Sequence, residues 1–244
     1  MASMRSLDIL DIARALGSSP FSATPRSVCD WLQTEYSKGG GGGFNYDPAI
    51  VATYDAFRGG HTLESAENYC LTSGNPKGRA QNASAIKALM PYALEHPSVC
   101  YRIGLTAVAI GRFAGQTVYA KIKTPLIRVE CDRSFVVMPG FRMSHRPLEV
   151  QIDFSCSVAL ETFAQGDHGD ADFEYLYAGP GFGKGRMFQA IHGRDRFRFD
   201  LDAINRLLET YVSGVALATQ EGASANEPDL RGYRIIDPYE PRFF

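Results

Sequence analysis

The sequence predicts an α+β fold: a helical N-terminal region followed by a mostly antiparallel sheet with packed helices. Three observations predict it. Apolar residues recur at helical spacing through the first ninety-odd positions. At His96-Pro97 the period shortens to about two. Beyond that point the apolar runs are short and their connections tight, which favours antiparallel neighbours over crossovers. With 45% hydrophobic and 21% charged residues in 244, the chain can bury a sizeable core.

The elements follow in order. Leu7, Ile9, Leu10, Ile12, Ala13 and Leu16 give a helix over 7–16 that stops at Gly17. Thr24-Pro25 is an N-cap and first-turn pair, so a second helix runs over 25–38. Helix, loop, helix invites a DNA-reading interpretation, but the second helix carries only Arg26 and Lys38 as bases, and plain packing is the simpler reading. Five glycines at 39–43 read as a flexible joint. Further helices are expected over 48–57, 62–71 and 78–94, the last kinked or shortened at Pro91. Strands then fall at 99–103, 105–113, 117–122, 126–131 and 135–138. A helix over 154–163, strands at 173–178 and 187–191, and a long helix from Asp200 to about 219 complete the core. The domain reading is a helical pair (1–38), a glycine-rich joint (39–45), a helical region (46–96), an α+β core (97–220) and an extended tail (221–244).

The net charge of −2 gives no whole-chain basic field to attract nucleic acid. The first residues, interrupted by Asp8, Asp11 and Arg14, do not form the apolar core of a secretion signal, so a cytoplasmic protein without a membrane role is expected. The five cysteines are widely spaced and fit neither a zinc pattern nor a disulfide framework.

The stretch over 134–153 combines apolar runs with chemistry and reads as strand, basic turn, strand. Its turn gathers Arg142, Ser144, His145 and Arg146 between Pro139 and Pro147. These offer donors to a phosphate or carboxylate, held by stiff backbone. A glycine-rich turn, GPGFGKGR, adds Lys184 and Arg186. The segment over 192–200 adds Arg196 beside Arg194 and Arg198, with Phe197 and Phe199 interleaved, and reads as a strand with one basic and one aromatic face.

The resulting expectation is a non-enzymatic or regulatory binding module. Its basic face takes a phosphorylated ligand, nucleic acid or an acidic partner, and no cofactor is implied. The tail, through Tyr239, Phe243 and Phe244, is a further place for a protein partner. An alternative rests on acids: Asp132, then Glu149-Val150-Gln151 on a later strand before a helix, resembles the PD-(D/E)xK nuclease core. That resemblance implies Mg²⁺ held by Asp132 and Glu149. Gln151 stands where the family has lysine, and no Pro-Asp precedes the first acid. A structural subunit of an assembly is the third reading.

Overall fold

The computed structural model describes residues 3–37, 45–181, 183, 185–223 and 226–237. The glycine run, Lys184, and Tyr239, Phe243 and Phe244 of the tail lie outside the described residues. The fold is α+β with mixed sheets.

The chain opens with β1 (Ser6–Asp8), α1 (Ile9–Ala15), α2 (Pro25–Ser37), α3 (Asp47–Phe57), α4 (Leu63–Thr72) and α5 (Arg79–Glu95). It continues through β2 (Val99–Arg102), β3 (Leu105–Phe113), β4 (Gln116–Lys123), β5 (Leu126–Glu130) and β6 (Arg133–Gly140). It closes with α6 (Glu149–Phe163), β7 (Asp172–Tyr177), β8 (Gln189–His192), α7 (Leu201–Gln220) and β9 (Arg234–Ile236). Asp8, Thr62 and Asp200 cap α1, α4 and α7 through their side chains. Pro91 does not break α5, because Leu89, Met90 and Ala93 around it are buried in the core.

Two sheets form. One has the order β1-β4-β3-β9 and the other β2-β5-β6-β7-β8. The β1–β4, β3–β9 and β6–β7 pairs are parallel, and the remaining pairs are antiparallel. Side chains alternate across the five-stranded sheet, so its central strands feed two cores. Val136, Met138, Phe173, Tyr175 and Tyr177 join α1, α2, α6, α7 and the other sheet in one cluster. Phe135, Val137, Leu176 and Ala178 join α3, α4 and α5 in the second. A strand buried on both faces is apolar almost throughout, as FEYLY of β7 is except for Glu174.

Several sequence expectations change. The stretch over 134–153 is strand, loop, helix: α6 begins at Glu149, not at Phe154. The segment over 192–200 is not a strand but a single 3-10 turn, Gly193–Asp195, and coil. The residues over 7–16 split into β1 and a shorter α1. No disulfide joins the cysteines, of which Cys29, Cys70 and Cys156 are buried. No helix among the described residues is long and apolar enough to cross a membrane.

Candidate functional site

β6, α6 and β7 form a parallel strand–helix–strand unit. In such units ligands collect outside the carboxyl ends of the strands, where the chain turns away and backbone groups are exposed. A cleft lies there. Its walls include Met138 to Arg142 from the end of β6, Tyr175 and Tyr177 from β7, Leu10 and Arg14 from α1, and Tyr46 and Ile50 beside α3. His145, Pro147, Asp8 and Lys123 complete it. Its enclosed volume of about 50 Å³ holds a water or two, so anything larger extends out of the mouth.

The charges of the cleft are paired. Asp11 accepts a fork from Arg142, with Nη2 to Oδ2 at 2.6 Å, and a bond of 3.1 Å from Arg14 Nη1. Burial raises the Asp11 pKa, but the two guanidiniums outweigh it and hold the carboxyl below its ordinary value. Lys123 Nζ lies 3.1 Å from Asp47 and 3.8 Å from Asp8. Desolvation works against its charge, yet the two carboxylates hold its pKa above the ordinary value. Burial first, and the charges of Arg14 and Arg142 next, lower the pKa of His145, which keeps the ring neutral at physiological pH.

Two tyrosines set the floor. Tyr175 is 1% exposed. Its hydroxyl opens into the cleft and makes no hydrogen bond among the described residues. It presses on Gly140, where a Cβ would lie 1.9 Å from the hydroxyl oxygen. Tyr177 lies against Gly179, where a Cβ would be 2.6 Å from its ring, and donates to the Pro180 carbonyl at 3.0 Å. The two glycines are therefore required by tyrosines, not by turn geometry.

The structure distributes the residues singled out by sequence. Arg142 and His145 line the cleft, while Ser144 and Arg146 are exposed on the same loop. Arg146 lies over the Tyr177 ring, 5.5 Å from its centroid. Arg186 is not a ligand donor. It holds the cleft together from behind, donating to the Phe141 carbonyl at 2.6 Å and the Ala178 carbonyl, with Nη2 3.2 Å from the Tyr46 hydroxyl. Arg196 is equally committed: Nε donates to Asp153 at 2.6 Å and Nη1 lies 3.4 Å from Glu149. The expected basic face is therefore divided among separate ion pairs.

The acids expected of a nuclease do not meet. Asp132 is exposed in the turn before β6, with φ of 60°. Glu149 follows the loop beyond the far end of that strand and opens a helix. β6 has eight residues, so roughly 25 Å of strand lies between its two ends. Gln151, in the lysine position, is a cap: its side chain accepts from the Leu148 amide at 2.9 Å. Among the described residues no group of three or more His, Cys, Asp or Glu converges as metal ligands do.

Sequence reasoning missed Asp8, Asp11, Arg14, Tyr175 and Tyr177, while Lys123, on a strand of the sheet expected to adjoin the basic turn, does line the cleft. The usable signal was local: Pro139-Gly140 and Gly179 at strand ends, each facing a tyrosine. No protein-family profile matches the chain, and no curated protein does. A solved structure described as the crystal structure of SSO0001 is similar at 13% identity and a TM-score of 0.33, over 85% of this chain and 75% of that one. A score that low carries no argument about this protein.

Proposed function

We propose that this protein is a binding module that seats a small molecule with an apolar body and one phosphate or carboxylate group in the cleft at the ends of β6 and β7. The observation that carries the reading is the Tyr175 hydroxyl, which belongs to a buried side chain, opens to the cleft and has no protein partner among the described residues. A ligand oxygen placed there meets a hydroxyl that can donate to it. Arg142 supplies a guanidinium on the wall, held in place by its fork to Asp11. Tyr46, Phe141 and Tyr177 supply aromatic surface for the remainder. Asp8, Asp11 and Asp47 nearly balance the cations, which favours a single anionic group over a polyanion.

Thermal denaturation with phenyl phosphate, benzoate and inorganic phosphate tests this. Saturation at a hundredfold over Kd adds about 2.7 kcal/mol, several degrees for a chain of this size. An aromatic anion is expected to raise Tm, with the gain reduced in Tyr175→Phe, which removes only the hydroxyl. No shift with any probe, or an undiminished shift in both Tyr175→Phe and Arg142→Ala, overturns the reading.

A further inference from the structure

A second hollow lies on the other side of Ile50, the residue that lines both. It holds about 280 Å³, just below the range of drug-sized ligand pockets. Tyr54, Arg102 and Arg234 form its walls, from α3, β2 and β9. Arg58 stands beside it: its guanidinium carbon is 6.0 Å from the Tyr54 ring centroid, and that of Arg102 is 5.6 Å away. At Gly104 and Gly232, which border the hollow, a Cβ would meet nothing within 4 Å, so no side chain fills the space there.

The electrostatics differ from those of the cleft. There each cation has a carboxylate. Here, among the described residues, Arg58, Arg102 and Arg234 make no ion pair and no side-chain hydrogen bond, and all three are exposed. Arginine cannot relieve like-charge repulsion by losing its proton. Cations gathered around one ring without a counter-charge are therefore stabilised by an anion from outside. The guanidinium fork matches a phosphate edge. A tyrosine ring bordered by guanidiniums matches the flat face of a base.

We infer that this hollow is a second binding site, separate from the cleft, and that it takes a nucleotide unit, with the phosphate on Arg102 and Arg234 and the base against Tyr54. The unit can come from a free mononucleotide or from a single strand of nucleic acid, since both present the same phosphate and base. The glycines leave the backbone bare where the sugar passes.

The test uses the full chain at low salt. AMP binding is followed by calorimetry, and a fluorescein-labelled single-stranded oligoadenylate by anisotropy. The variants are R102A/R234A, Tyr54→Leu and Tyr175→Phe. R102A/R234A is expected to weaken binding by at least about tenfold. Tyr54→Leu should weaken AMP more than inorganic phosphate, and Tyr175→Phe should leave both unchanged. AMP binding without oligoadenylate binding identifies the free nucleotide as the source, and tight oligoadenylate binding identifies nucleic acid; either sustains the site. Absence of binding by both probes overturns it, as does affinity unchanged in R102A/R234A with a native circular dichroism spectrum. Loss confined to Tyr175→Phe would place the ligand in the cleft and also overturn it. Equal affinity for AMP and inorganic phosphate, unaffected by Tyr54→Leu, removes the base contact.

Discussion

Glu174→Ala is expected to be among the most damaging single changes in the sheet. Glu174 is fully buried on β7 and Arg128 is 1% exposed on β5, with β6 between them. Arg128 donates to Glu174 through Nε at 2.7 Å and Nη2 at 2.6 Å, and the Tyr92 hydroxyl donates to the same carboxylate. Phe57 and Phe135 lie 5.3 and 4.5 Å from the guanidinium carbon, so solvent cannot replace a lost partner. Removing one partner of such a pair costs about 3–5 kcal/mol, because the other charge stays buried. Glu130, which also bonds Arg128, places the expected loss toward the lower end. At about 2–4 °C per kcal/mol for a chain of this length, Tm should fall by roughly 6–20 °C. Thermal and urea denaturation followed by circular dichroism measure it. The double variant Arg128→Met/Glu174→Leu, which removes both charges, should recover most of the loss. A single variant within about 1 kcal/mol of the native protein would refute the reasoning, and so would a double variant no better than the single.

Other consequences can be checked directly. Gly140→Ala places a methyl against the Tyr175 hydroxyl; overpacking of about 1–3 kcal/mol is expected, together with loss of the aromatic-anion Tm gain. Arg186→Ala frees the Phe141 and Ala178 carbonyls and should raise amide hydrogen exchange over 141–147 while leaving exchange in α7 unchanged. Acid should destabilise the fold. Glu130 and Asp11 have folded pKa values below their ordinary 4.5 and 3.8, held there by Arg128 and His96 and by Arg142 and Arg14, against burial. Their contribution is present above those ordinary values and is lost as pH falls through the folded ones. Asp153, raised chiefly by burial, works in the opposite sense. The urea midpoint should therefore drop below about pH 4.5, and a midpoint constant down to pH 3 would contradict the assignment.

The strands from 99 to 138 were legible because each shows period two between clear turn residues. The start of α6 was not. Glu149-Val150-Gln151-Ile152-Asp153-Phe154 alternates polar and apolar like a strand, while every residue from Gln151 to Leu160 is buried. A helix enclosed on all sides has no polar face to reveal its period. That misreading hid the parallel unit and its cleft. The basic turn was legible as chemistry, and Arg142 and His145 do line the cleft. Their counter-charges were not legible: Asp11 lies 131 residues away in the chain from Arg142. Tyr54, Arg102 and Arg234 come from three elements and share no motif.

The four-stranded sheet has a consequence for the order of assembly. Its central hairpin, β3 and β4, is bordered by β1 on one side and β9 on the other, each only three residues long. The Ser3 hydroxyl donates to the Asn226 carbonyl, 223 residues away. During synthesis the hairpin therefore forms with one border already available and the other still unmade. Closing it requires a loop spanning most of the chain, which is slow because its entropy must be lost before any contact repays it. Until β9 arrives, β3 presents an unpaired row of amides and carbonyls, the kind of edge that recruits a neighbouring strand. Deleting the residues over 234–237 should leave the hairpin in that state permanently, as a protein that self-associates through β3.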